Sequence, residues 1–282
     1  MKVFVTGGSG YVGGPTIRAL VRHGHEVTAL ARSDNSVTAV EAAGATAVRG
    51  ALTDTDVLRE QASRADAVIH LGMAGERTAE VDLAAAQAMQ DGLADRGTYV
   101  HTGGTWVFGD TDGVADETHP MAPPALTAWR LDNEKQVLAH GGRPVIVMPG
   151  LVYGNGGGLI EAFYVDPARR DGELAQIGDG STHWALVHVD DLAELYVRAL
   201  DAKPRSVYVG VDDQNPTIAE VSRALAHAVG VPVKRIDLAE ATERMGPIAE
   251  AFALDQQLTS AKARRELGWA PRHTDAVAEL AL

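Results

Sequence analysis

The residues best placed to do chemistry are three glycines. They stand at positions 7, 10 and 13 of the stretch Thr6-Gly7-Gly8-Ser9-Gly10-Tyr11-Val12-Gly13, between a β-branched run at 2–6 and an amphipathic stretch bearing Val12, Ile17, Leu20 and Val21. A strand, a glycine turn and a helix in that order form an anion site. Gly7 permits the sharp turn, Gly10 lets the main chain approach a pyrophosphate, and Gly13 allows helix and strand to pack closely. The helix N-terminus presents free N–H groups to the phosphates. The spacing predicts a bound dinucleotide touched by Gly7, Ser9, Gly10, Tyr11 and Val12. The plainer alternative is a structural turn, since glycine-rich turns are common.

The second informative place is the end of the second strand, where Ala31 is followed by Arg32 and Ser33. An acidic residue there would accept from the ribose 2′-hydroxyl of NAD and repel a 2′-phosphate, whereas arginine holds that phosphate with charge-assisted bonds. The cofactor expected is NADPH, with Arg32 and Ser33 at its 2′-phosphate. The competing reading makes Arg32 a solvated loop charge.

Other chemistries find less support. With no cysteine there are no disulfides, thiolate nucleophiles or Cys-based metal sites. Ten histidines form no H-E-x-x-H or H-x-x-E-H arrangement, and none pairs with a carboxylate cluster at ligand spacing, so no metal is expected. His23 and His25 flank a turn glycine and are expected to face solvent. His183 is a candidate acid, and His188 is expected to be a structural hydrogen bonder. The pairs Asp54/Asp56 and Asp190/Asp191 read as helix N-terminal charges.

These residues must be positioned by a regular succession of elements. Strand patterns at 2–6, 26–31, 46–48, 67–71, 99–102 and 145–148 alternate with helical patterns after Val12, at 35–43, through Leu58 and Ala62, at 79–94 and at 126–140. Gly24 suits a helix C-terminus, and Thr53-Asp54 suits a helix cap. Such alternation predicts an α/β fold, a Rossmann-type doubly wound parallel sheet. After residue 150 the rhythm loosens. A flexible turn is expected at 154–158, then helices at 192–200 and 218–228 around a strand at 206–210. The expected organisation is a dinucleotide-binding domain over 1–150 and a smaller C-terminal substrate lobe over 151–282, interleaved with the end of the sheet.

The loop resembles the T-G-x-x-G-x-x-G of the extended short-chain dehydrogenase/reductase family, the NAD-dependent epimerases and dehydratases, and the resemblance runs nearly the whole chain. His70-Leu71-Gly72-Met73-Ala74 is similar to the segment lining the cofactor after strand four. Pro149-Gly150-Leu151-Val152-Tyr153-Gly154 is similar to the segment beside the nicotinamide. Val187-His188-Val189-Asp190-Asp191-Leu192 and Ala263 to Pro271 resemble two further signatures. The resemblance implies cofactor contacts from Leu71, Gly72, Met73, Thr102, Pro149, Gly150, Leu151 and Val152. It also implies contacts from Ala51 and Leu52, with Ala51 replacing the usual adenine-binding Asp.

The family's catalytic Ser, Tyr and Lys are missing. None of Tyr11, Tyr99, Tyr153, Tyr164, Tyr196 and Tyr208 is followed four residues later by Lys. Anchored on Glu134, the Tyr position holds Leu126 and the Lys position Arg130; the alternative register offers Trp129 and Asn133. The Ser position falls on Gly104, with Thr102 and Thr105 the nearest hydroxyls and so the candidate donors. The pattern resembles the ketoreductases that tailor aromatic polyketide antibiotics. It implies reduction of a ring ketone of a polycyclic aromatic substrate to a secondary alcohol, with Thr102, Thr105, Arg130 or a phenol of the substrate steadying the alkoxide. The alternatives are a non-catalytic NADP(H)-binding regulator and a sugar-nucleotide epimerase or dehydratase, the latter disfavoured because it needs the Tyr–Lys pair. Met73, Met89, Met121, Met148, Trp106, Trp129 and Trp184 could wall such a pocket or simply fill the core, and residues 153–159 and 178–184 are expected to bound it.

Composition narrows the partners. The 282 residues carry 25 Lys+Arg against 38 Asp+Glu, a net charge of −13, which disfavours nucleic acid and anionic membranes. Aromatic content of 5% offers no base-stacking platform, and 45% hydrophobic residues with 30 glycines describe an ordinary folded chain. No apolar run reaches the ~18 residues of a membrane span and no leader is seen, so a cytoplasmic protein is expected. No pattern sets an oligomeric state.

Overall fold

The strand β1 (Lys2–Thr6) is buried on both faces, and its alternate residues serve two cores. Val3 and Val5 pack with Ile17 and Leu20 on one side of the sheet, while Phe4 packs with Leu58, Met89 and Leu93 on the other. That division makes the sheet the middle layer of three. The computed structural model describes residues 1–75 and 77–282.

After β1 the chain runs α1 (Gly13–Arg22), β2 (Glu26–Ala31), α2 (Asp34–Ala42), β3 (Thr46–Arg49), α3 (Thr55–Arg64), β4 (Ala67–His70), α4 (Thr78–Leu93) and β5 (Thr98–Thr102). A two-residue strand β6 (Val114–Ala115) precedes α5 (Trp129–Ala139), β7 (Arg143–Pro149) and β8 (Leu151–Tyr153). Beyond these lie α6 (Gly158–Ile160), α7 (Asp166–Asp171), β9 (Leu174–Ile177), β10 (Leu186–His188), α8 (Val189–Ala199), β11 (Ser206–Gly210) and α9 (Ile218–Val229). Seven parallel strands form the central sheet in the order β3-β2-β1-β4-β5-β7-β11. Strand order reverses between β1 and β4, so the carboxyl ends of these two strands open the crevice where ligands bind in such sheets.

The expected α/β architecture is therefore the one observed. Residues 151–282 are not a body apart: β11 pairs with β7, and Leu192, Leu195 and Tyr196 of α8 share the core of Val3 and Val5. The rest build a second core in which Tyr164, Trp184 and Phe252 meet edge to face or tilted, ring centroids 5.1 to 5.7 Å apart.

Local departures from the sequence reading have physical reasons. The helix expected at 126–140 starts at Trp129, because residues ahead of it close tight i→i−3 turns, Thr127 N–H to the Pro124 carbonyl and Arg130 N–H to that of Thr127. Asp54 does not cap α3 through its side chain; the carboxylate accepts the Ala51 N–H at 2.8 Å instead. A capping box closes α2 instead, where Ser33 Oγ accepts from Ser36 N–H and Ser36 Oγ from Ser33 N–H.

Candidate active site

The glycine loop is a main-chain cradle. Gly7 has φ +70°, and a Cβ there would stand 2.6 Å from the Gly72 nitrogen. A Cβ on Gly13 would run into the Gly7 carbonyl oxygen and lie 2.7 Å from Gly8 Cα. Among the described residues the N–H groups of Tyr11 and Val12 take no hydrogen bond, and the first turn of α1 contains no acidic residue. Open donors and a space that any side chain would fill suit a pyrophosphate.

The other expected cofactor residues surround this cradle. Gly72 N–H reaches Thr6 Oγ1 at 3.3 Å, and Leu52 lies against Gly72, so the segments 51–52 and 71–73 meet. Arg32 is exposed and, among the described residues, makes no ion pair or hydrogen bond. Ser33 is spent on capping α2. Arg49, which no sequence pattern marks, faces Ala31 across the β2–β3 register and pairs with Asp34 in the first turn of α2. That ion pair holds the Asp34 carboxyl below its usual range. Only strand pairing brings Arg49 to this corner, so no local signal could have found it.

Beside the cradle opens a cavity of about 870 Å³. Tyr11, Val12, Met73 and all of Pro149, Gly150, Leu151 and Val152 line it, as do Gly104, Leu126 and Arg130, the residues expected at the family's Ser, Tyr and Lys positions. Leu126 is 41% exposed and sits in the turn before α5, off the helix that carries Arg130. Among the described lining residues there is no Asp, Glu, His or Lys. The Arg130 guanidinium lies 4.6 Å from the Trp129 ring centroid and gives one N–H to the Thr102 carbonyl at 3.1 Å, which leaves other donors free.

The two threonines part company. Thr105 lines the cavity and, among the described residues, its hydroxyl has no partner. Thr102 does not line it; its hydroxyl shares a 2.8 Å hydrogen bond with the buried Tyr196. The Tyr11 hydroxyl is likewise spent, donating to the Gly154 carbonyl at 2.6 Å, and burial raises its pKa well above the ordinary tyrosine value. The 154–158 turn is therefore packed, with Gly157 and Gly158 against the Tyr11 ring.

Several expected wall residues lie elsewhere. Met73, Trp106 and Trp129 line the cavity, but Met89 and Met148 are core, Met121 is exposed outside it, and Trp184 is buried with its indole N–H on the Phe252 carbonyl. Residues 178–184 do not bound it. The Asp255 carboxylate accepts from the His183 ring Nδ1 at 2.8 Å, and His183 does not line the cavity, so it is not placed to act as the acid there. His188 caps α8 by accepting the Asp190 N–H at 3.2 Å and stacks on His273. Of the acidic pair, Asp191 is buried and accepts the N–H groups of Arg272 and His273. Below the sheet's carboxyl edge, His70, Asp82 and His101 converge from β4, α4 and β5, a cluster that sequence spacing hid because each member comes from a different element.

A three-layer α/β sheet with a dinucleotide cradle at its switch point and a substrate cavity beside it defines a dinucleotide-dependent enzyme class. The chain belongs to the NAD dependent epimerase/dehydratase family, whose model matches residues 3–210. It is similar to protein C2A9.02 of Schizosaccharomyces pombe, 28% identical over 292 residues that cover 100% of this chain and 98% of that one. It is 27% identical to a 4-hydroxy-2-methyl-3-oxo-4-farnesyl-3,4-dihydroquinoline-1-oxide ketoreductase of Stigmatella aurantiaca, over 97% of this chain and 93% of the relative. Among solved structures, the dTDP-glucose 4,6-dehydratase DesIV of Streptomyces venezuelae with NAD has a TM-score of 0.81 at 21% identity, over 100% and 96% of the two chains. Human epimerase family protein SDR39U1 with NADPH gives 0.80 at 21% identity, over 100% and 98%. These two likenesses are of fold. No described helix is long and apolar enough to cross a membrane.

Proposed function

We propose that this chain is an NADPH-dependent ketoreductase that reduces a ring ketone of a polycyclic aromatic substrate to a secondary alcohol. The observation that carries the reading is the cavity: large, mostly apolar, open to the cofactor cradle, and charged among its described residues only at Arg130. A cavity of that size suits a drug-sized planar molecule, and its poverty in polar groups does not suit a nucleotide sugar. Two relatives bear names that describe ketone reduction, the Stigmatella enzyme and a 2-alkyl-3-oxoalkanoate reductase of Stenotrophomonas maltophilia, 29% identical over 89% of this chain. The pattern of missing residues also resembles the ketoreductases of aromatic polyketide antibiotics, the angucyclinone ketoreductase of simocyclinone biosynthesis among them.

When bound, the cofactor would supply the hydride for the ketone carbon. The main chain of 7–13 would hold its pyrophosphate and Arg32 its 2′-phosphate, and residues 149–152 would wall the reacting end. Arg130 sets a fixed positive charge where the carbonyl oxygen becomes an alkoxide, and the free Thr105 hydroxyl adds a donor. Neither needs to give up a proton, so the alcohol proton comes from water or from a phenol beside the carbonyl. Proximity and orientation supply the rest of the rate. The test is NADPH oxidation by the purified protein against a panel of polycyclic ketones. Tight NADPH binding with no oxidation by any of them would leave the alternative, an NADP(H)-binding regulator.

A further inference from the structure

We infer that His70, Asp82 and His101 form a buried site for a divalent transition ion of the zinc class, outside the cavity and separate from hydride transfer. All three residues are at most 4% exposed. The Nε2 atoms of both imidazoles are buried and without a hydrogen-bond partner, although each stands near the Asp82 carboxylate, at 3.4 Å from Oδ1 for His70 and 3.7 Å from Oδ2 for His101. Two orphaned nitrogens aimed at one buried carboxylate need an explanation, since leaving such atoms unpaired is costly.

The spacing offers one. Ligand atoms about 2.0–2.1 Å from a tetrahedral ion stand about 3.3–3.4 Å apart, close to these separations and longer than a good hydrogen bond. The outer nitrogens are also fixed. Thr6 Oγ1 meets His70 Nδ1 at 2.5 Å, and Tyr99 Oη meets His101 Nδ1 at 3.1 Å, so each ring is oriented with Nε2 inward. Asn133 Nδ2 donates to Asp82 Oδ2 at 2.9 Å and holds the carboxylate in the same way. Oriented imidazoles and an oriented carboxylate are the outer shell a metal site requires. Two nitrogens and an oxygen select a transition ion over magnesium or calcium.

The ion would tie α4 to the ends of β4 and β5. His70 immediately precedes the 71–73 cofactor segment, and His101 precedes Thr102, so the tie positions the cavity's floor and does no chemistry in it.

The chain is expressed in zinc- or cobalt-supplemented medium and its metal content measured after exhaustive dialysis. Stoichiometric zinc and the visible d–d bands of a tetrahedral cobalt ion are expected. His101→Gln and Asp82→Asn should lose both, while His273→Ala, at the stacked His188/His273 pair elsewhere in the molecule, should keep them. Refolding wild-type chain with zinc should raise the Tm above that of chain refolded in chelator. A wild-type chain without metal, cobalt bands or a zinc-dependent Tm would overturn the inference, leaving a long-range hydrogen-bonded network. Metal lost in His273→Ala but retained in His101→Gln would overturn it equally. The wild-type measurements stand even if a buried variant fails to fold.

Discussion

At the end of β1 the recognition surface is main chain: the Gly7–Gly13 loop closes on Gly72 and exposes the N–H groups of Tyr11 and Val12. Across the same cavity, from Gly104 through Leu126 to Arg130, the lining is one of side chains, with Arg130 the one charged group among the described lining residues. At Gly7 and Gly13 a Cβ would collide with main chain, so those positions tolerate almost no substitution. A side-chain site can be rebuilt with other chemistry on the same scaffold. The two halves of one active site are thus bound by different constraints: the dinucleotide end by geometry, the substrate end only by what the substrate requires.

The comparison breaks most visibly at Gly13. Gly13→Val places a side chain into the Gly7 carbonyl and Gly8. With about 3 kcal/mol or more of overpacking strain, NADPH affinity should fall a hundredfold or further. Fluorescence titration reads the affinity, and circular dichroism checks the fold. Unchanged affinity would mean that the loop is a structural turn.

On the side-chain half the largest effect belongs to Arg130. Removing the one charged group among the described cavity residues by Arg130→Met should lower kcat about a hundredfold, the usual cost of one alkoxide-stabilising donor, with a smaller change in KM. Arg130→Lys should recover only part, since the guanidinium also bonds the Thr102 carbonyl and stacks on Trp129. Full turnover in Arg130→Met would assign alkoxide stabilisation to the substrate alone.

A smaller change is expected at the far end of the dinucleotide. Arg32→Ala removes a charge-assisted contact of about 1.5–3 kcal/mol, so NADPH should weaken ten- to a hundredfold toward NADH while NADH binding stays put. Arg49→Ala should act in the same direction but less, because Arg49 is already paired with Asp34. If the preference does not move in either variant, the 2′-phosphate assignment is wrong.

What the sequence revealed follows the same division. Strand–helix alternation is a local pattern, and it made the parallel sheet legible; the strand order, and with it the switch point between β1 and β4, is set by tertiary pairing. The absence of Tyr-x-x-x-Lys was equally legible. Helix 126–140 was read too long because the turn chemistry of residues 124–128 competes with helical periodicity, and that places Leu126 beside the helix instead of on it. Arg49 beside Ala31, Thr102 on Tyr196 and the His70–Asp82–His101 cluster are all tertiary meetings. Nothing in local spacing encodes them.

Glu134 tests the floor between the two halves through pH. Its carboxyl is buried behind Gly103, and burial raises its pKa to about 7 from the ordinary 4.5. Between those values the folded chain holds a proton that the unfolded chain has released. Its contribution to stability is therefore full below pH about 4.5 and declines as pH rises towards about 7. Thermal midpoints measured across that window should fall more steeply for wild type than for Glu134→Gln. Equal slopes would mean that the carboxyl is ionised in the folded chain throughout.

The finest test separates two hydroxyls three residues apart. Thr105 faces the cavity with its hydroxyl free, so Thr105→Val should slow ketone reduction severalfold and leave Tm almost unchanged. Thr102 points its hydroxyl at Tyr196, a fully buried phenol. In Thr102→Val that phenol loses its partner, which costs about 1–3 kcal/mol of stability. The rate should hold, because no donor has left the cavity. The two variants carry the same chemical change, so the change in side-chain hydrophobicity is common to both. What remains is whether an oxygen faces substrate or protein. A rate loss in Thr102→Val equal to that of Thr105→Val would show that the Tyr196 contact is broken when substrate binds, and that the strand end, like the wall across from it, is recruited by side chain.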